Sequence, residues 1–310
     1  MIDVPSSTWF TVNPHWQWYI VLYFFVGGLA GRCYFIAVLT DFFGRPEDRP
    51  LARLGYYIAF PCVLLSGLLL TIDLNRPLRF WHMLIESNTF QPMFKLWSPM
   101  SVGSWALLLF GLFSFISFMG ALAEEDRLRW RSFGRLQWPA FRAVRGPSAL
   151  GRIVGVLGGT AGLFLAGYTG VLLAVTNRPI WSDTSLLGML FIVSAGSTSA
   201  ALMMLLAQRY GWRSLPGVAA LERMDGIVLA MELLVLIAVM VSLGPALRGW
   251  LNAWGVLLIL GVIVLGLIVP LFMSWQHRQV PSANLATIAT LVLVGGFLLR
   301  VVVIFSSETI

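Results

Sequence analysis

The sequence predicts an all-α integral membrane protein with eight transmembrane helices, and three observations carry that reading. Apolar types make up 58% of the 310 residues and charged types only 11%, against about a quarter charged in ordinary soluble domains. The apolar residues fall into runs of the roughly 20 residues needed to cross a bilayer. The arginines sit mainly between those runs. A soluble globule of this size could not cover so much apolar surface with so few charges. A cytosolic enzyme, a disordered chain and a small disulfide scaffold are therefore excluded. The net charge of +7 reads as membrane orientation rather than nucleic-acid binding, so the expected surroundings are lipid and no nucleic acid.

The first run, Trp16–Thr40, follows a segment from Met1 to Pro14 with one acid, no lysine or arginine and no apolar core. A retained span is expected here rather than a cleaved signal. Within it Gly27 and Gly31 form G-x-x-x-G, a spacing that permits close helix approach, and Arg32 follows. The second run, Leu54–Asp73, is stopped by Asn75-Arg76-Pro77. Proline cannot continue the helix, and arginine at a helix C-terminus complements its dipole. A long connection from Asp73 to Ser98 then carries Phe80, Trp81, Phe90, Phe94 and Trp97. It reads either as an interfacial aromatic belt with a short surface helix or as a docking platform for an extrinsic protein. The third run is Pro99–Ala123 and the fourth Leu150–Val175. The fourth is stopped by Asn177-Arg178-Pro179-Ile180-Trp181, an echo that predicts a second, similar outer corner. Leu186–Gln208, Val218–Leu243, Trp250–Phe272 and Ala283–Phe305 complete the set.

Arginine asymmetry orients the helices. Connections after the odd-numbered runs hold Arg45, Arg49, Arg53, Arg209, Arg213, Arg278 and the dense Arg127–Arg145 stretch; the other side holds Arg76, Arg79, Lys95, Arg178 and Arg248. The first side is expected to be cytoplasmic. That places the protein in the inner (cytoplasmic) membrane with both termini outside.

Several chemistries lack their residues. His15, His82 and His277 are the only histidines and all lie at run edges or in connections, so a bis-histidine haem within the bundle is not expected. Two cysteines, Cys33 and Cys62, cannot ligate an iron–sulfur cluster, and no metal site is predicted. No nucleotide-binding loop occurs.

Ionisable groups inside the apolar runs are functional candidates. Glu232, near the middle of the sixth run, is a candidate for a proton path. Tyr23 and Tyr168 lie about seven residues from the outer ends of the first and fourth runs, or roughly 10 Å deep at 1.5 Å per residue. Two phenols at one depth suit the carbonyls of a quinone. They equally suit an interfacial aromatic belt.

Four ordered stretches resemble the NrfD-like family, the membrane subunits of polysulfide-reductase-type complexes. They are Tyr23-Phe24-Phe25-Val26-Gly27-Gly28-Leu29-Ala30-Gly31, Asp73-Leu74-Asn75-Arg76-Pro77 with Phe80-Trp81-His82, Ser98-Pro99-Met100-Ser101-Val102-Gly103-Ser104-Trp105, and Tyr168-Thr169-Gly170-Val171-Leu172-Leu173-Ala174. The resemblance implies two four-helix bundles: residues 1–175, with the quinone candidates and the long outer loop, and residues 176–310. It implies menaquinone or ubiquinone bound near the outer side, against an extrinsic iron–sulfur subunit that serves a molybdopterin-type catalytic subunit. No haem or iron–sulfur cluster would belong to this protein. A family quinone tyrosine matches Tyr168, whereas a histidine of some members falls at Tyr23. His15, Gln17, Asp73 or His82 could then supply the missing polar contact, with Asp73 and His82 suited to proton handling. The sequence thus reads as a non-autonomous subunit of a quinone-linked respiratory oxidoreductase. A secondary transporter and a purely structural anchor are the alternatives. A transporter would show helices broken near the midplane.

Overall fold

The computed structural model describes residues 16–74, 76–125, 141, 144, 148–279 and 285–308. Eight helices in it are long and apolar enough to cross a membrane. They are α1 (Trp18–Phe43), α2 (Arg49–Asp73), α3 (Pro99–Glu124), α4 (Ala149–Ala174), α5 (Leu187–Arg209), α6 (Pro216–Leu243), a composite α7, and α8 (Leu285–Glu308). Helix α7 begins as the turn Ala253–Val256, winds as a π-helix over Leu257–Ile268, and ends as Val269–Gln279. Helix α2 starts five residues before its predicted limit because Pro50 sits in the first turn, where its missing N–H costs no hydrogen bond. Pro216 opens α6 in the same way. No helix is broken into half-helices at the midplane among the described residues, so the transporter expectation finds no support in the backbone.

The helices form two rings. Helix α1 packs on α2 and α4, and α3 closes the circle by packing on both. Helix α5 packs on α6 and α8, and α7 closes that circle. The rings meet where α1 and α4 touch α5. Lipid tails are as apolar as the side chains, so close packing and polar contacts have to hold such helices together. Glycines supply the close packing. A Cβ at Gly31 would run into the backbone of Gly162 on α4, and one at Gly266 on α7 would run into Gly295 on α8. The packing reading of G-x-x-x-G therefore holds at Gly31.

Polar pins add to this. Tyr34 on α1 is buried, with its hydroxyl 2.7 Å from Ser117 Oγ on α3, and it donates to the Val154 carbonyl of α4 at 3.2 Å. Buried Asp48, between α1 and α2, accepts from the Gly217 N–H at 2.6 Å and from the Arg45 N–H at 3.0 Å. A carboxylate at the first turn of α6 also complements its dipole. Arg49 pairs with Glu124 at 3.0 Å and Arg53 with Glu125 at 3.0 Å, which joins the start of α2 to the end of α3. The arginine stretch 127–145 lies outside the described residues but for positions 141 and 144.

The two outer corners, alike in sequence, fold differently. The first leads into a 3-10 helix, Pro77–Met83, and then a small hairpin closed by Glu86 N–H to the Gln91 carbonyl (2.9 Å) and Met93 N–H to the Leu84 carbonyl (2.8 Å). Trp105 Nε1 donates to the Met93 carbonyl at 2.9 Å and clips this loop onto α3. Leu78 is 90% and Trp97 82% exposed. The second corner packs inward. Trp181 is fully buried and its Nε1 donates to the Val303 carbonyl of α8 at 2.6 Å, while Ser307 Oγ donates to the Pro179 carbonyl at 2.8 Å. The expectation of two similar surface corners is thus corrected. An aromatic that finds both an apolar slot and an acceptor for its N–H goes inside.

Candidate functional site

A cavity of about 720 Å³ lies inside the first ring, within the size range of small-molecule sites. Its outer end is lined by Trp16, Ile20 and Tyr23 of the first segment, Asp73 of α2, Phe80, Met83 and Leu84 of the aromatic loop, and Tyr168 of α4. It continues between α2 and α3 past Gly67, Leu64 and Phe60 on one wall and Gly103, Leu107, Gly111 and Phe115 on the other. Leu64, Leu108 and Leu112 line it and also face the lipid zone, being 57%, 49% and 52% exposed. The cavity is therefore polar at its outer end, apolar along its length and open sideways to the membrane.

Local sequence builds these walls. Gly67 and Gly111 sit on facing helices, and a Cβ added at either would meet nothing within 4 Å. The corridor's width thus rests partly on two missing side chains. Gly103 does the opposite, since a Cβ there would strike the Tyr168 ring. Tyr168 lies over the first turn of α3, and its hydroxyl donates to the Pro99 carbonyl at 2.7 Å. Tyr23 is buried against Phe24, with ring centroids 5.4 Å apart, and its hydroxyl has no hydrogen-bond partner among the described residues.

The structure brings together Tyr23, Tyr168 and Asp73 around the cavity. The two tyrosines differ in a way that sequence did not reveal: the O–H of Tyr168 is committed to backbone and that of Tyr23 is free. Asp73 is exposed at the mouth. Gln17 is exposed just before α1 and outside the lining. His82 is half-buried with its ring against Trp81, centroids 3.9 Å apart, and does not line the cavity. His15 lies outside the described residues. Glu232 is buried in the second ring, where Ser197 Oγ donates to it at 2.6 Å. Sequence reasoning missed Gly67, Gly103 and Gly111. Their mid-helix spacing was a visible signal, but which helices face each other was not.

Comparison with known proteins agrees with this architecture. A family model described as "Polysulphide reductase, NrfD" matches residues 10–310. The sequence is 28% identical to Protein NrfD of Escherichia coli, over 94% of this protein and 95% of that one. It is 27% identical to a membrane-family component of the polysulfide reductase of Wolinella succinogenes, over 95% and 94%. It is 25% identical to one of the selenate reductase subunits of Mesobacillus selenatarsenatis, over 74% of this protein and 57% of that longer one. With the match running from before the first membrane helix to the last residue, the chain belongs to the polysulphide reductase NrfD family.

Proposed function

We propose that this protein is the quinone-binding membrane subunit of a respiratory oxidoreductase complex, exchanging electrons between an extrinsic iron–sulfur subunit and the membrane quinone pool. The observation that carries the reading is the shape and chemistry of the cavity. A quinone has a flat polar head and a long apolar tail, and it arrives from lipid. The cavity offers polar groups at one end, an apolar corridor and a side opening between α2 and α3. Bound quinone would supply the electron chemistry. The protein's part is to bind the head near Tyr23, to exclude water with Trp16, Leu84 and Leu172, and to exchange protons near Asp73 at the mouth.

The same end of the molecule supports a docking surface. Phe80, Phe90, Phe94, Leu96 and Trp97 are exposed, and the loop that bears them forms part of the cavity wall. A redox partner seated there would stand within a short distance of a quinone head. The relatives from polysulfide reductase and selenate reductase are, by name, parts of larger reductases, which favours an extrinsic iron–sulfur subunit and a molybdopterin-type catalytic subunit as partners here. Arginine asymmetry supports an inner-membrane location with the aromatic loop outside. A photoreactive quinone tests the site. Label on α2 and α3 peptides, displaced by excess quinone, is expected. Label confined to the outer surface of the second ring would overturn the assignment.

A further inference from the structure

A second set of polar groups lies at the seam between the two rings, and the cavity does not use it. Asp225 and Glu232 on α6 and Arg300 on α8 are all 1–2% exposed. Arg32 on α1 is half-buried with an enclosed Nε. Charges inside a bilayer are costly and are usually paired. Here no ion pair at contact distance joins any two of them among the described residues. Asp225 Oδ1, Arg32 Nε and Arg300 Nε are buried without a hydrogen-bond partner. A site kept only for packing strength would not leave three such atoms unsatisfied.

The groups form a row along the membrane normal. Asp225 and Glu232 are seven residues apart, two turns on one face of α6 and about 10 Å along its axis. The Arg32 guanidinium lies between their levels, against Gly196, where an added Cβ would stand 2.6 Å from Nη2 and 3.3 Å from Val228 of α6. Beyond Glu232 the row continues through hydroxyls. Ser197 Oγ contacts Glu232 Oε2 at 2.6 Å and the Ser194 carbonyl at 3.0 Å, and Arg300 Nη1 donates to Ser194 Oγ at 2.5 Å and to the Gly296 carbonyl at 2.7 Å. Arg300 Nη2 lies 3.8 Å from the Cβ position of Gly28 on α1. Tyr23, the cavity's back wall, is five residues outward on that helix, and its ring stands 3.6 Å from the Cβ position of Gly27.

We infer that Asp225 and Glu232 form a proton relay, linking the membrane face that carries Arg209 and Pro216 with the back wall of the cavity at Tyr23. The two acids take up and release protons in turn. Ser197 and Ser194 carry the hydrogen-bonded outer part of the row, and the fixed charges of Arg32 and Arg300 hold the carboxylates in register. Only O–H bonds are made and broken, and one oxygen gains the proton that the next one loses. The relay rests on the quinone reading, because quinone turnover supplies or consumes one proton with each electron.

The test uses the complex isolated through this protein and reconstituted into liposomes with a pH dye on each side. With wild type, quinone turnover should change the pH on the Arg209 face. Glu232→Gln and Asp225→Asn should lower that signal per turnover to the level of protein-free liposomes, with turnover retained when an uncoupler is present. Ser197→Ala, which spares both acids, should weaken it and covers the case in which an acid variant does not assemble. A wild-type pH change confined to the aromatic-loop face, with normal turnover, overturns the relay and leaves the quinone site standing. An undiminished signal in assembled Glu232→Gln also overturns the relay. Absence of quinone turnover in the intact complex overturns both.

Discussion

Tyr23→Phe and Tyr168→Phe remove the same atom from two rings of one cavity, and the structure predicts opposite consequences. The Tyr168 hydroxyl donates to the Pro99 carbonyl at 2.7 Å. Its loss should cost about 0.5–1.5 kcal/mol of stability, the worth of one intramolecular hydrogen bond. The Tyr23 hydroxyl has no partner among the described residues, so its loss should leave stability unchanged. A quinone carbonyl at the polar end of the cavity would be its acceptor. Losing that bond should weaken quinone binding by the same 0.5–1.5 kcal/mol, or about 2- to 12-fold at 1.4 kcal/mol per decade. Both rings keep their packing, Tyr23 on Phe24 and Tyr168 on Phe164, with centroids 5.4 and 5.8 Å apart. Thermal unfolding of the detergent-solubilised protein reads the first quantity, and quinone titration reads the second. The reasoning fails if Tyr168→Phe loses affinity with no loss of stability while Tyr23→Phe loses neither.

Three further outcomes are expected. Gly111→Leu should narrow the corridor and penalise long-tailed quinones by about 1–3 kcal/mol of overpacking while sparing short-tailed analogues, since a Cβ there meets nothing and the added branch projects along the cavity wall; equal losses for both would place the tail elsewhere. Asp48→Ala should destabilise the protein by about 1–3 kcal/mol, measured by chemical denaturation, because it strips the Gly217 N–H of its acceptor at the start of α6. Cysteines placed at Leu78 and Tyr210, 90% and 60% exposed, should react with an impermeant reagent from opposite faces of the membrane, with Leu78→Cys labelled in intact cells.

The helices were legible in the sequence because the bilayer imposes a length and a polarity on each span, and both can be read one residue at a time. All eight appear where the apolar runs lie. The starts of α2 and α6 shifted because proline is welcome in a first turn, so Pro50 and Pro216 belong to the helix rather than to the loop before it. The two Asn-Arg-Pro corners show what a local pattern leaves open. Both stop a helix, yet Trp181 is buried because α8 presents the Val303 carbonyl to it, and no sequence neighbour of Trp181 could signal that. The depth of the two tyrosines was likewise readable by counting. Their unequal hydrogen bonding was not, since it depends on Pro99, 69 residues away from Tyr168.

The positions of the charges follow from which helices the fold encloses. Helices α1, α5 and α8 meet at the seam between the rings and have most of their surface covered by protein, whereas α2, α3 and α7 lie at the periphery. A cation on a peripheral helix would face lipid, with no group to hold it. Arg32 and Arg300 sit on enclosed helices, each beside a glycine, Gly196 and Gly28, that makes room for a guanidinium where a side chain would stand. The peripheral pair α2 and α3 carries the reverse arrangement, an uncharged corridor whose glycines leave space open to lipid. Small residues thus do two different jobs in one molecule. At the seam they admit charge into the interior, and at the periphery they admit a long apolar ligand from the membrane. An exchange of roles is forbidden by solvation, because an arginine in the corridor would meet hydrocarbon and a quinone tail at the seam would leave the buried acids without polar neighbours.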